Sequence, residues 1–255
     1  MFVLANGAFK SGSTWLQAIL KHMGSFEDVP EAYRSPSHQQ AWLDHRKIRA
    51  FLDSGCYREK DYLSKGHYYG RRYPDLFLSY DQVYVLDIVR DTKDTIVSHY
   101  YHFKRERGVD WDFSSYYWRI GRFKAYQIWL YHETWRGSSP RVYTSSFERL
   151  KQDFEEEVAN IGRFVGRTLV AEDIERIKRE TSITSMQKRH GQDAKKETER
   201  FFRKGVVGDW KSHFDEQMLD DISKIERGEL DLLGRSLYHL FFSVRPFLTR
   251  NLLRR

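Results

Sequence analysis

Four short β-like runs punctuate the chain: Phe2–Ala5, Tyr62–Gly66, Val83–Val89 and Arg141–Thr144. Each is followed by a turn signal or by residues at helical spacing. The third is apolar throughout except for Asp87, the pattern of a central strand buried on both faces rather than on one. Apolar positions at helical period fill Thr14–Met23, Lys93–Arg105, Phe113–Trp135 and Phe147–Val165. Strands alternating with helices predict βαβ crossovers, hence an α/β fold with a central parallel sheet flanked by helices. Beyond residue 170 the pattern turns to charged helices, with a basic, polar stretch at Lys188–Lys204 that reads as a loop or lid. No internal repeat and no low-complexity linker divides the chain. One domain over residues 1–233 is therefore expected, followed by a separate tail, 234–255. The tail holds five arginines, no acid, and apolar residues from Leu237 to Leu252. That is the composition of a basic amphipathic helix, which either docks on the domain or lies on an anionic membrane.

Composition narrows the class. The 255 residues are 40% hydrophobic and 31% charged, enough for a core and against wholesale disorder. No run approaches the roughly 18 apolar residues of a membrane span. One cysteine, Cys56, excludes an internal disulfide framework and a Cys-rich zinc site, and suits a reducing compartment. The opening Met1-Phe2-Val3-Leu4-Ala5 has no basic segment and no long apolar core, so a cytoplasmic protein is expected. A formal charge of +7 invites an anionic partner: nucleic acid, a phosphate-bearing cofactor or a membrane surface. Charge alone does not choose among them. The 7 Trp, 16 Tyr and 17 Phe suit flat ligands or an aromatic core equally.

Local strings choose. After the first run comes Asn6-Gly7-Ala8-Phe9-Lys10-Ser11-Gly12-Ser13-Thr14, then helical spacing from Trp15 onward. A glycine-rich turn between strand and helix aims backbone N–H groups and the helix dipole at one small anion. The nucleotide-triphosphatase pattern G-x-x-x-x-G-K-[ST] fits at Gly7, Gly12 and Thr14, but Ser13 occupies the lysine position and the loop lysine is Lys10. That displacement argues against a P-loop kinase-like phosphotransferase. The third run ends at Arg90, with Asp94 and Ser98 one and two helical turns on. An arginine at the carboxyl end of a strand and a serine on the following helix converge on a phosphate; the plainer alternative pairs Arg90 with Asp94.

The string Lys10-Ser11-Gly12-Ser13-Thr14-Trp15 closely resembles the 5′-phosphosulfate loop of cytosolic-type sulfotransferases that use 3′-phosphoadenosine 5′-phosphosulfate (PAPS). Arg90, Asp94 and Ser98 match that family's 3′-phosphate motif, and Arg203-Lys204-Gly205-Val206-Val207-Gly208-Asp209-Trp210-Lys211 its R-K-G-x-x-G-D-W-K segment. Lys65-Gly66-His67 fits its K-x-H segment, and Thr181-Ser182-Ile183 stands where the adenine side reads T-S-F. The resemblance covers roughly residues 2–211. It implies sulfuryl transfer from PAPS to a hydroxyl or amine, with release of adenosine 3′,5′-bisphosphate (PAP) and no metal.

In that reading Lys10 stabilises the leaving phosphate, His67 is the general base and Lys65 assists. Ser11, Gly12, Ser13 and Thr14 cradle the 5′-phosphate, and Trp15, Phe147, Thr181 and Ile183 hold the adenine. Arg90, Ser98, Arg203, Lys204 and Gly205 hold the 3′-phosphate. Ile183 and Phe147 depart from the aromatic and tyrosine usual there. The family's dimer segment is missing after Lys211, which leaves oligomeric state open. His99-x-x-His102 has metal spacing without further ligands. A basic nucleic-acid-binding protein is the rival from another class; no binding module supports it. The acceptor is expected to be a small or lipid-like molecule.

Overall fold

The computed structural model describes residues 1–35, 42–137, 139–191 and 200–229. Five parallel strands, β1 (Phe2–Gly7), β2 (Glu27–Asp28), β3 (Tyr62–Lys65), β4 (Val83–Val89) and β5 (Val142–Ser146), form one sheet in the order β2-β3-β1-β4-β5. Four of these are the expected runs, shifted by one or two residues. β5 continues through Ser145 and Ser146 because its partner β4 supplies backbone bonds irrespective of side-chain polarity (Ile88↔Ser145, Val89↔Ser146). β2 lay outside the expectation. Two exposed acids at a sheet edge carry no apolar period, and pairing with Tyr62 and Leu63 alone makes them a strand.

Helices α1 (Ser13–Met23), α8 (Phe154–Phe164) and α9 (Ala171–Glu180) cover one face of the sheet, burying Val3, Ala5, Leu63, Leu86 and Ile88 among Leu16, Ile19, Val158 and Ile177. The other face carries Phe2, Leu4, Val83 and Val85 against α2 (Ile48–Ser54) and α3 (Arg72–Leu78), which supply Phe51 and Phe77. Alternate residues of β1 thus enter opposite cores, which is why the strand reads as continuously apolar. A third cluster joins α4 (Thr92–Arg107), α5 (Phe113–Tyr116), α6 (Arg122–Trp135) and α11 (Glu216–Glu226) through Ile96, Tyr116, Ile128 and Ile225.

Two expected long helices are broken. A π-helical turn at Tyr117–Gly121 separates α5 from α6, and Asp153, at φ −130° and ψ 59°, separates α7 (Phe147–Gln152) from α8. The stretch expected as a loop from Lys188 begins inside α10 (Ile183–Arg189). Residues 192–199 and the expected tail, 234–255, lie outside the described residues. No described helix is long and apolar enough to cross a membrane. The strand order reverses around β1, so the carboxyl ends of β1, β3 and β4 open a crevice where parallel sheets place ligands.

Candidate active site

The loop from Gly7 to Ser13 is a backbone device. Gly7 has φ +152°, and a Cβ there would lie 2.7 Å from the Ile88 carbonyl oxygen, so only glycine lets β1 turn out beside β4. Gly12 (φ +108°) caps α1 with no side-chain bond, leaving the first-turn amides open to a ligand. Lys10 adopts φ +62°, a conformation that costs a non-glycine residue about 1 kcal/mol or more. Lys10, Gly12, Ser13, Thr14 and Trp15 line a cavity of about 790 Å³. Ser11 is turned away from it. Its amide and hydroxyl both donate to the Ala8 carbonyl, at 3.2 and 2.7 Å, and its side chain closes the loop from within.

The opposite wall is cross-braced. Arg90, at the end of β4, donates to the carbonyl of Val206 at 2.9 Å, and its guanidinium lies 4.2 Å from the Phe147 ring centroid. Asp94 is 1% exposed; its carboxylate accepts the amides of Gly208 (2.7 Å) and Trp210 (3.0 Å). This resolves the sequence alternative: Asp94 anchors the segment that follows Lys204 rather than pairing with Arg90. Asp209 in turn receives Arg203 and, at 2.9 Å, Lys204. Ser98, Arg203, Lys204 and Gly205 line the cavity beside Arg90. A Cβ on Gly205 (φ +61°) would stand 2.8 Å from Ile183 Cδ1, so the strap sits directly on Ile183. Thr181, buried and bonded to the Ile177 carbonyl, and Phe147 complete that side; Trp15 meets Phe147 edge-on at 5.4 Å and stacks on Phe154 at 6.0 Å.

The catalytic candidates meet where β1 and β3 end side by side, Ala5 opposite Lys65. His67 Nδ1 is 2.7 Å from the Gly7 carbonyl oxygen. A carbonyl only accepts, so Nδ1 carries the hydrogen and Nε2 is left with the lone pair of a base. Backbone clamps fix this imidazole. The Tyr131 hydroxyl donates to the His67 carbonyl at 2.5 Å, and Asn6 grips Tyr68 at both its amide (2.8 Å) and its carbonyl (3.3 Å). Trp135 donates to the same carbonyl at 2.7 Å. Asn6 is held in turn by Asp87, whose carboxyl burial raises to about 7.

Lys65 donates to the Thr14 hydroxyl at 2.5 Å and lies 4.8 Å from the Trp42 ring; burial lowers its pKa to about 8. Lys10 rests 3.6 Å from the Phe201 ring, and burial, then repulsion from Arg105, Lys65 and Arg90, lowers it to about 7. His102 is a different kind of histidine. It accepts from Arg105 at 2.7 Å through Nδ1, and burial with Lys10 and Arg105 nearby lowers it to about 4. It is neutral with the hydrogen on Nε2, a donor rather than a base. His99, read from sequence beside it for metal spacing, has its Nδ1 hydrogen-bonded with the Tyr116 hydroxyl at 2.5 Å. Among the described residues no cluster of three or more His, Cys, Asp or Glu side chains is arranged for a metal.

Of the fourteen residues the sequence assigned to the donor, thirteen line one cavity together with Lys65 and His67, and Ser11 does not. Sequence reasoning missed Trp42, Glu106, Lys124, Phe201 and Phe202 in the same cavity. The paired aromatics Phe201-Phe202 just before Arg203-Lys204 were the available signal. Lys124, inside a helix among aromatics, gave none.

Residues 3–234 match the family model of the sulfotransferase domain. Human sulfotransferase 2A1 is 27% identical over 249 residues, 90% of this chain and 84% of the relative. Bos taurus sulfotransferase 1A1 is 30% identical over 234 residues, 80% of this chain and 75% of the relative. Among solved structures, mouse sulfotransferase SULT7A1 complexed with PAP superposes with a TM-score of 0.64 at 20% identity, covering 95% of this chain and 88% of that one. A retinol dehydratase complex with androsterone and PAP gives 0.61 at 17%, covering 91% and 81%. These two share the fold. The family match spans the phosphate loop, both braces and the histidine alike, and by it the chain belongs to the sulfotransferase domain family, enzymes that move a sulfuryl group onto an acceptor.

Proposed function

We propose that this sulfotransferase uses PAPS as donor and a small hydroxyl or amine compound as acceptor, with His67 as general base. The observation that carries the reading is the Gly7–His67 bond, which leaves His67 Nε2 as an acceptor in the cavity that Lys10 enters from the same loop. The donor fits the residues present. Two buried nitrogens in that cavity wall, Trp15 Nε1 and Arg90 Nε, have no hydrogen-bond partner among the described residues, a want that an adenine nucleotide phosphate and base would meet. Arg90, Ser98, Arg203, Lys204 and Gly205 are assigned to its 3′-phosphate. The open amides of α1 with Lys10 and Thr14 take the 5′ end, and Trp15, Phe147, Thr181 and Ile183 the adenine. When bound, the donor supplies the sulfuryl group and a stable phosphate leaving group.

This chain's own groups do three things. His67 Nε2 takes the acceptor's proton as its oxygen or nitrogen becomes a nucleophile, and the Gly7 carbonyl steadies the imidazolium that results. The Lys10 ammonium stabilises charge on the departing phosphate. Lys65, through Thr14, holds the loop in register and adds positive charge. No residue here needs a metal for those roles. We place the enzyme in the cytoplasm, from its single cysteine and its relatives' class, and assign residues 1–233 to the catalytic domain and 234–255 to a basic tail.

The test is calorimetric titration with PAP, with AMP and ATP–Mg²⁺ as controls. Tight PAP binding and weak AMP binding are expected, followed by PAPS-dependent product in an acceptor screen that the His67→Ala variant does not give. Preference for ATP–Mg²⁺ overturns the reading.

A further inference from the structure

Asp87 is the one charged residue of β4, and none of the three catalytic roles falls to it. It stands directly opposite Asn6 of β1 in the sheet register. The two are 2% and 0% exposed. Alternate residues of a strand share a face, and further back on this one the same strands carry Phe2, Leu4, Val83 and Val85. A polar pair thus replaces an apolar one at the carboxyl end of the sheet, where the crevice opens. Its cost shows at Asp87, whose carboxyl burial pushes up to about 7. An apolar pair would fill the position without that cost, so stability does not account for it.

What the pair holds is the segment that carries His67. Asn6 Oδ1 accepts the Tyr68 amide at 2.8 Å, while Asn6 Nδ2 donates to the Asp87 carboxyl at 2.9 Å and to the Tyr68 carbonyl at 3.3 Å. A backbone N–H only donates, so Tyr68 fixes which end of the Asn6 amide is oxygen, and the NH₂ end must find acceptors. Asp87 supplies the nearer of the two. Asn6 also precedes Gly7, whose carbonyl takes the hydrogen of His67 Nδ1 at 2.7 Å. One residue of β1 therefore reaches His67 twice. Its side chain holds the peptide between His67 and Tyr68, and its chain neighbour holds the ring. Two further bonds come from α6, from Tyr131 to the His67 carbonyl and from Trp135 to that of Tyr68. Asp87 is what ties this frame to β4.

We propose that Asn6 and Asp87 are positioning residues for His67. The carboxyl, as a hydrogen-bond acceptor, locks the Asn6 amide, and the locked amide keeps the His67 peptide and ring where Nδ1 donates to Gly7. The proposal rests on the proposed function in that His67 is the base. A ring so held presents the same nitrogen in every turnover, and a displacement of about 1 Å costs about 10²-fold.

The test reads the imidazole directly, by nitrogen NMR of the full chain carrying isotope-labelled histidine and saturated with PAP; the His67→Ala spectrum assigns the signal. The parent is expected to show the Nδ1–H tautomer, its proton exchanging about tenfold or more slowly than that of an exposed imidazole. Asp87→Leu and Asn6→Ala are each expected to mix the tautomers and lose most of that protection. Asp87→Asn, which keeps an acceptor oxygen for Asn6, is expected to retain both. PAP affinity by calorimetry should stay within about threefold of the parent's in all three. A purely structural pair would lower the melting temperature and leave the tautomer of the folded protein unchanged, and that result overturns the proposal. So does a larger fall in PAP affinity, because the pair then shapes the loop rather than the base. Loss of the tautomer in Asp87→Asn overturns the acceptor role. Where neither disruptive variant folds the parent decides, since an Nε2–H tautomer there overturns the proposal. A parent that fails to bind PAP overturns the proposed function instead, and the tautomers are then read on the ligand-free protein.

Discussion

The two halves of the cavity are built on different principles. The half we assign to the donor is made of backbone and its braces: a loop whose glycines turn it, a helix end whose amides are open, and a strap pinned by Asp94 and Asp209. The half that our proposal leaves to the acceptor is made of side chains from elements far apart in sequence: Phe9, Trp42, His102, Lys124 and Phe201. A phosphate is small and its ligands must crowd, so short strings suffice to build its site. An acceptor of several ångströms needs a wall, and a wall draws on the whole chain.

Substitutions on the two sides should separate accordingly. The largest effect is expected for His67→Ala, with kcat lowered about 10²–10⁴-fold and PAP affinity little changed, because in the proposed mechanism the imidazole moves a proton and holds no phosphate. Loss of PAP affinity to a comparable degree would merge the two halves. Next comes Asp94→Ala. It strips the acceptor from two amides, each bond worth about 1.5–3 kcal/mol when the acceptor is charged. PAP affinity should fall about tenfold or more with a lower melting temperature, read by calorimetry and thermal unfolding.

The donor half alone should carry a pH signature. Lys10 titrates at about 7 and Lys65 at about 8, both lowered by burial. Below those values both are ammonium before a phosphate arrives; above them each must first take up a proton. PAP affinity should therefore weaken as pH rises from about 6.5 to about 9, at up to one decade per pH unit for each proton taken up. Calorimetry in buffers of different ionisation enthalpy should register net proton uptake near pH 8, and its absence would mean the lysines are charged throughout. The smallest effect is expected for Ser11→Ala: a loss of about 1 kcal/mol in stability, as the Ala8 carbonyl loses its hydroxyl donor, and a change in PAP affinity below about threefold.

The same division explains what the sequence disclosed. β1 and β4 show as apolar runs because both their faces are buried, and the loop after β1 shows because its glycines and Lys10 fall within six residues. β2 is silent, since two exposed acids become a strand only by pairing with β3. The break at Asp153 hides inside an unbroken apolar period. Ser11 reads as a ligand by its place in the string, yet the turn consumes both its donors. Lys124 and Trp42 carry no local signal, because what makes them part of the site is the distance that folding removes. His102 and His67 look alike in sequence and both engage Nδ1, but His67 donates there to the Gly7 carbonyl whereas His102 accepts there from Arg105.

The hydrogen bond from His67 to Gly7 has one more consequence. Gly7 and Lys10 belong to the same short loop, three residues apart. The proposed base and the cation proposed to receive the departing charge are thereby surveyed from one origin. When the loop breathes, both ends of the reaction line travel together and its length is preserved. Tolerance to motion is thus written into the placement of the base, without demanding that the loop itself be rigid.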